Sequence, residues 1–220
     1  MLGVSSAMLI YYFTSAKYAI QNLRKNRLKI SDFSNVNDPF ELLGIELRDK
    51  EVRRAVNAEK SKLSKINGLL CFSEDKYNPV QWAHYADNHK GVCLGFDISE
   101  ENLRKVKYVS ERLARETLDQ PDCNEKLLTT KFSHWSYEQE RRLILELSEH
   151  PRDSAGLRFK DFGSDMVLKE VYIGCKSELN FKDITSAYSS GDKSVMVKIT
   201  RPSFRDFRIV WDQSKKSVRT

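Results

Sequence analysis

Residues 81–96 read Q-W-A-H-Y-A-D-N-H-K-G-V-C-L-G-F, and this stretch decides how the middle of the chain folds. Asn78-Pro79, just before it, is a helix-start signal, because proline is tolerated at the first helical position. Gly91 predicts the end of the helix, and the alternating apolar residues of 92–98 predict a strand. Four side chains recur at the spacing of one helical face: Trp82, Tyr85, Ala86 and His89.

A short helix followed at once by a buried strand brings aromatic and imidazole groups beside a sheet. Trp82, Tyr85 and His89 are predicted to share one helical face, whereas His84 lies away from it. Two interpretations stand. The helix contributes to a functional site, or it is a packed aromatic helix with a histidine near its cap.

Helix and strand signals mix along the rest of the chain. The sequence predicts strands at 9–13, 68–73, 167–175, 195–199 and 207–211, and an amphipathic helix over 48–66. This mixture predicts an α+β fold, a single domain over residues 1–220 with a mixed, largely antiparallel sheet flanked by helices. Residues 111–130, broken near Pro121, are predicted to be a helical surface insertion, and residues 213–220 a frayed tail.

The composition bounds the class of protein. Apolar residues make up 40% of the chain and charged residues 31%, and no apolar run approaches the length of a membrane span. The net charge of +6 permits a nucleic-acid partner but does not require one, because the basic residues are spread among acidic ones. The four cysteines form no C-x-x-C pair, which argues against zinc and for reduced thiols in a cytoplasmic protein.

The first candidate for chemistry is the pair of carboxylates at Glu138 and Glu140. On an extended segment they face the same side with Arg142, and Arg141 faces the other. A carboxylate at a strand start, beside a basic neighbour, is suited to act as an acid, a base or a stabiliser of a cation. The alternative is a charged strand entry held by cross-strand ion pairs.

The second candidate is the helix at 82–89. A neutral His84, next to Tyr85, could polarise or deprotonate a substrate. Cys93 could be a nucleophile, although a small buried residue is the simpler interpretation. A metal-dependent nuclease would use Asp38, Glu41, Asp97 and the histidines, but no recognised ligand spacing supports it, so no metal is predicted.

The third candidate is the loop Asn37-Asp38-Pro39-Phe40-Glu41. Asn37 and Asp38 could organise the turn through local hydrogen bonds. Loops on rigid scaffolds also position ligands, and in that interpretation Asn37 and Asp38 border a bound cofactor, for which Trp82 is a further candidate.

Several motifs in this order resemble the bacterial family called domain of unknown function 2971. They are Y-F-T-S at 12–15, N-D-P-F-E at 37–41, C-F-S-E at 71–74, W-x-H-Y-A-D-x-H-K-G-x-C-L-G-F-D at 82–97 and K-F-x-x-W-x-Y-E-x-E-R-R-L-I at 131–144. The resemblance runs from about Tyr11 to Tyr172. It implies a setting among bacterial phage-defence, abortive-infection or toxin genes.

The first strand of that family is in turn similar to the H-Y-T start of ADP-ribosyltransferase folds. There a histidine or arginine holds the ribose of NAD, and a later strand supplies a glutamate that stabilises the cationic transition state. The resemblance puts Tyr12 at the histidine position and Thr14 at the threonine position, with Glu140, or Glu138, as the glutamate. Tyr12 departs from the pattern, although its hydroxyl can donate one hydrogen bond.

Two functions are therefore expected. The first is transfer of ADP-ribose from NAD to a protein or nucleic-acid target, with Tyr12, Thr14, His84 and Tyr85 around the NAD cleft and Glu140 beside the reacting centre. The second is a non-enzymatic module that binds nucleic acid or a nucleotide through basic surface and exposed aromatic residues.

Overall fold

The structure is a computed structural model that describes residues 6–33, 36–188 and 194–220. Within these residues the α-helices are α1 (Ala16–Lys25), α2 (Lys50–Ile66), α3 (Pro79–Tyr85), α4 (Cys123–Thr129) and α5 (Phe181–Ala187). The strands are β1 (Ala7–Thr14), β2 (Arg27–Lys29), β3 (Asn67–Ser73), β4 (Val92–Ser99), β5 (Leu103–Lys105), β6 (Lys107–Val109), β7 (Thr130–Phe132), β8 (Glu140–Glu146), β9 (Phe159–Asp161), β10 (Met166–Ile173), β11 (Met196–Pro202), β12 (Ile209–Trp211) and β13 (Val218–Arg219). Short 3₁₀ helices include Ser133–Glu138.

The main sheet of the described residues has the order β12-β11-β10-β4-β1-β3-β8-β5, with β13 beside β11. Every pair in it is antiparallel except β10 with β11, which are joined through α5. The prediction of an α+β fold with a mixed, largely antiparallel sheet flanked by helices is thereby confirmed.

The sheet consists of two well-paired parts that meet at a narrow seam. β1 pairs with β4 along all eight of its residues, and β3 pairs with β8 along all seven of its own. Between β1 and β3, in contrast, the described register contains one pair, Tyr11 with Ser73. Beyond that pair the two strands leave an opening that Tyr12 of β1 and Cys71 of β3 help to line.

The two faces of the sheet carry different cores, because successive side chains of a strand alternate. On one face, Ile10 and Leu94 pack with α1 and α5. On the other face, Trp82 of α3 packs over Tyr11 and Cys93. A separate cluster joins Val56 and Leu63 of α2 to Leu127 of α4, alongside β3 and β8.

The helix in the segment 81–96 is shorter than the sequence predicts. Asn78 caps α3 by accepting a hydrogen bond from the Val80 amide, as expected, but α3 ends at Tyr85. Asp87, Asn88 and His89 then adopt positive φ angles of 46°, 52° and 70°, a region that Asn, Asp and His tolerate better than most residues. His89 therefore does not extend the face that carries Trp82, which corrects the prediction.

Gly91 explains why the chain turns so sharply there. A Cβ atom at this position would lie 2.1 Å from the carbonyl oxygen of Thr14, so only glycine allows the close approach of the turn to β1. The turn depends on this contact with a strand far away in sequence, and helical periodicity does not report it.

The segments 111–130 and 213–220 both contain regular secondary structure. Residues 111–130 contain a 3₁₀ turn, Arg115–Asp119, and α4, which lie on either side of Pro121. Helix α4 places Leu127 in a core cluster, fully buried. In the predicted tail 213–220, β13 pairs with Met196 and Val197 of β11 and so satisfies backbone groups of a sheet edge.

Candidate functional site

A cavity of about 380 Å³ occupies the opening between β1 and β3. One side is formed by α3 and another by the loop that precedes Glu41. Its floor comes from β3 and β8. The lining residues are Tyr11, Tyr12, Phe13, Ser31, Val36, Asn37, Glu41, Cys71, Phe72, Ser73, Gln81, His84, Tyr85, Lys131, Glu138, Glu140 and Arg142.

The floor of the cavity holds a buried chain of ion pairs. The Arg142 guanidinium donates to Glu41 at 2.6 and 3.0 Å and to Glu140 at 2.8 and 3.2 Å. The Lys131 ammonium donates to Glu138 and, at 3.2 Å, to Glu140. The most exposed of the five side chains is that of Lys131, at 7%, so the charges are largely shielded from solvent. Three carboxylates face two cations, which leaves one negative charge in excess.

Local backbone geometry brings these groups together. Strand alternation places Glu140 and Arg142 on one face of β8, opposite Cys71 of β3, as the sequence indicates. Glu138, in contrast, ends a 3₁₀ helix and is not extended. Gln139 adopts a left-handed conformation with φ 44° and turns the chain into β8. As a result both carboxylates reach Lys131, although they do not share a strand.

The pKa values of the two glutamates shift in opposite directions, because Arg142 contacts Glu140 and not Glu138. Burial would raise the pKa of Glu140, but Arg142 and Lys131 outweigh it and lower that pKa to about 2. Burial raises the pKa of Glu138 above its usual value, and the attraction of Lys131 does not fully compensate. Glu140 is therefore ionised at neutral pH, and Glu138 is the carboxylate that takes up a proton more readily. Two neighbouring carboxylates with separated pKa values are typical of acid–base sites.

Hydrogen bonds connect α3 to the segment 133–138 on one side of the cavity. The Tyr85 hydroxyl donates to Glu138 and accepts from the Asn37 amide at 3.0 Å. Gln81 Nε2 donates to the Glu138 carbonyl oxygen at 2.9 Å. His84 Nδ1 lies 2.8 Å from the Tyr137 hydroxyl. The segments 81–85 and 137–142, which the sequence singles out separately, thus converge on one site.

Six of the predicted site residues line this cavity: Tyr12, Asn37, His84, Tyr85, Glu138 and Glu140. Three others lie elsewhere among the described residues. Trp82 is buried in the core beneath α3, and Thr14 is buried at the end of β1. Asp38 accepts a hydrogen bond from the Phe40 amide and borders a neighbouring groove.

Three lining residues that matter for the chemistry of the cavity, Lys131, Gln81 and Cys71, are not predicted from the sequence. Lys131 and Gln81 organise the two glutamates, but neither residue type stands out in a charged chain. Cys71 is exposed although it lies in the middle of a strand, because it borders the cavity. Although Cys71 reaches the cavity, the surrounding protein desolvates its sulfur, and this desolvation and the nearby Glu140 raise the pKa of the thiol, so it is not a ready thiolate.

The structure also bears on two other kinds of feature, a metal site and a membrane-spanning helix. Within residues 6–33, 36–188 and 194–220, no three or more His, Cys, Asp or Glu side chains are grouped so that they could hold a metal ion. Asp97 lies on β4, whereas Glu41 is bound to Arg142. The described helices include none with the length and apolar character needed to cross a bilayer.

Comparison with known proteins supports the family resemblance for one part of the site, residues 81–143. Residues 81–143 match the family described as "Protein of unknown function (DUF2971)". The match runs from Gln81 of α3 to Leu143 of β8 and includes Lys131, Glu138 and Glu140. No curated protein and no solved structure matches the chain.

Because the pKa of Glu138 is raised and that of Glu140 is lowered, the two glutamates are expected to contribute differently to stability. We expect Glu138→Gln to change the free energy of unfolding by less than about 1 kcal/mol at neutral pH, because it removes the excess charge. Glu140→Gln should lower it by about 2 kcal/mol or more, because two buried cations lose a charged acceptor. Urea unfolding of both variants, followed by circular dichroism, measures the difference.

The pH dependence follows from the direction of each shift. The lowered pKa of Glu140 stabilises the fold above the ordinary value of 4.5, and this contribution is lost as the pH falls towards about 2. The raised pKa of Glu138 acts in the opposite sense, since its contribution is present below 4.5 and is lost as the pH rises through the folded value. Glu140→Gln should therefore show a smaller loss of stability on the acid side than the parent, in which other carboxylates with lowered pKa values, such as Glu170, also contribute. Equal effects of the two substitutions across this range would contradict the assignment.

Proposed function

We propose that the cavity catalyses the transfer of ADP-ribose from NAD to a macromolecule. The observation that carries the proposal is Glu140, a buried carboxylate held ionised on the floor of a net negative cavity that the first strand borders through Tyr12. A role in phage defence or as a toxin is part of the proposal and rests on the family resemblance.

The reaction needs a site that favours positive charge. The bond between nicotinamide and C1′ of the ribose breaks, and nicotinamide leaves with the bonding electron pair as a neutral molecule. The ribose becomes an oxocarbenium ion, to which a nucleophile of the target adds with loss of a proton. When water is the nucleophile, the product is free ADP-ribose.

The charge of the cavity fits both the substrate and this intermediate. NAD carries a positive pyridinium ring, and the oxocarbenium ion is also cationic, so one excess negative charge in a shielded site stabilises both. The aromatic rings of Tyr12 and Tyr85 offer surfaces for a flat ring. The cavity volume of about 380 Å³ lies within the range of small-molecule sites.

The side chains around Glu140 have separate tasks in this proposal. Arg142 and Lys131 keep Glu140 ionised and fix its position. Tyr12 remains protonated at neutral pH because burial raises its pKa to about 12, so its hydroxyl can donate to the substrate. Tyr85 and Asn37 hold Glu138, which is the second carboxylate available to the reaction.

Nicotinamide release from NAD tests the proposal. The parent protein should release nicotinamide, and Glu140→Gln should reduce the rate by about 100-fold or more, as the loss of one transition-state stabiliser does. Nicotinamide is quantified by chromatography, with and without nucleic acid or a bacterial lysate as the acceptor. Tyr12→Phe, which removes one hydroxyl, should also lower the rate.

The controls separate chemistry from folding. Tyr18 lies on α1, exposed and outside the cavity lining, so Tyr18→Phe should release nicotinamide at the parent rate. Circular dichroism and NAD binding by calorimetry show whether Glu140→Gln is folded and still binds. Equal release by the parent and a folded Glu140→Gln would remove Glu140 from the mechanism, and absence of release with every acceptor would contradict the transferase activity.

A further inference from the structure

The loop between β11 and β12 presents two aromatic rings to solvent. Phe204 is 88% exposed and Phe207 is 98% exposed, the two highest values among the large exposed apolar side chains. The loop itself is well defined by hydrogen bonds, since the Ser203 amide donates to the Arg208 carbonyl oxygen at 2.8 Å. Its base is tied to the body of the protein where the Ile209 amide donates to the Tyr77 carbonyl oxygen, also at 2.8 Å.

A groove of about 600 Å³ runs beneath this loop, separate from the cavity at Glu140. The loop forms one wall from Pro202 to Ile209. The opposite wall contains Pro79, which begins α3, together with His89, Cys175 and Lys176. The site is thus concave and has aromatic rings at its border.

Basic side chains lie close to the aromatic rings at this groove. The Arg201 guanidinium lies over the Phe204 ring, 4.0 Å from its centroid, and Arg208 lies 4.1 Å from the centroid of Tyr77. Arg205 and Lys176 are exposed at the groove. Asp206 is the acidic residue that lines it, so the lining is net positive.

His89, left unassigned by the chemistry of the cavity, supplies a polar group to this groove. Its Nδ1 is buried and has no hydrogen-bond partner in the described part of the chain. Burial and the neighbouring Lys176 lower its pKa, so the ring is neutral at physiological pH. A neutral imidazole offers one donor and one acceptor, as hydrogen bonding to a polar ligand requires.

We propose that this groove binds single-stranded nucleic acid. Unpaired bases stack on Phe204 and Phe207, and Arg205 and Lys176 contact the phosphates. The neutral ring of His89 lines the same groove. Exposed aromatic rings and arginines also bind anionic membrane surfaces. A concave site that contains a neutral imidazole, however, matches the shape and hydrogen-bonding groups of a base better than those of a flat bilayer.

Binding of labelled oligonucleotides tests the surface. The full chain is titrated into single-stranded RNA and DNA of about 12 nucleotides, a length typical of such sites, and anisotropy is recorded. The double variant Phe204→Ala with Phe207→Ala should bind at least about tenfold more weakly, because each base–aromatic stack contributes substantially. RNA bound more tightly than DNA, or the reverse, identifies the natural strand.

Salt dependence tests the basic groups independently. The double variant Arg205→Gln with Lys176→Gln should flatten the slope of log K against log salt by about 1.4, since each phosphate contact on a single strand contributes about 0.7. The matched control is Tyr18→Ala, an exposed aromatic residue of α1, which should bind like the parent.

Three results would overturn the proposal: no binding by the parent, the same affinity for the parent and the double phenylalanine variant, or binding to anionic phospholipid vesicles without binding to oligonucleotides. The four substituted groove residues and the control Tyr18 are all exposed, so folding of each variant is expected and is verified by circular dichroism. None of these outcomes depends on nicotinamide release, because the groove does not share lining residues with the cavity.

Discussion

Arg142→Met is expected to lower the free energy of unfolding by about 3–5 kcal/mol, the range found when one partner of a buried ion pair is removed. Arg142 is 1% exposed and donates to Glu41, Glu140 and the Leu128 carbonyl oxygen. Methionine fills much of the same volume but leaves two carboxylates facing each other without their shared cation. Urea unfolding at neutral pH measures the loss.

Two further variants make this prediction specific. Arg104 lies opposite Arg142 on β5, but its side chain is 46% exposed and lies 3.6 Å from Glu125, so Arg104→Met should cost less than about 1 kcal/mol. Adding Glu41→Gln to Arg142→Met removes one uncompensated charge and should recover part of the stability. A loss of less than about 1 kcal/mol for Arg142→Met would show that the network is solvated and does not hold the floor of the cavity.

Trp82→Ala is expected to lower the free energy of unfolding by about 3–5 kcal/mol, as large aromatic truncations in a core do. The Trp82 ring is 1% exposed and meets Phe13 edge to face, with centroids 5.3 Å apart. Its Nε1 donates to the Lys76 carbonyl oxygen at 2.7 Å. The substitution would leave that carbonyl oxygen without this hydrogen bond. Thermal and urea unfolding measure the change.

The same substitution should also disturb the site, because α3 carries both the Trp82 anchor and Tyr85. Loss of the anchor frees the helix that holds Glu138, so nicotinamide release should fall together with stability. Phe207→Ala provides the contrast: this ring is 98% exposed, and its removal should change stability by no more than about 0.5 kcal/mol. Similar losses in the two variants would contradict the interpretation of Trp82 as an anchor.

Local patterns in the sequence predict the fold class and part of the site. Asn78 and Pro79 mark the start of α3, and alternation on β8 places Glu140 with Arg142. These are short-range properties, which side-chain periodicity and capping preferences report directly. The early end of α3 is not predicted by them, because the left-handed conformations of Asp87, Asn88 and His89 interrupt a pattern of side chains that continues at helical spacing to His89.

Local sequence patterns do not predict which residues that are far apart in the chain form contacts. Glu41 and Arg142 are 101 residues apart in sequence and form a bidentate ion pair. The opening between β1 and β3 depends on how many residues of two strands pair, which a strand pattern does not encode. Lys131 is similarly inconspicuous, since its importance comes from the two carboxylates that fold around it.

The single backbone pair between Tyr11 and Ser73 has a mechanical consequence. Where the ladder of backbone hydrogen bonds stops, side chains must hold the two parts of the sheet together. Phe72 of β3 does so, because its ring meets Tyr12 of β1 at 5.9 Å and Phe96 of β4 at 6.1 Å between centroids. A ligand that touches both Tyr12 and Glu140 would add a second tie between the two parts, on the cavity side of the sheet.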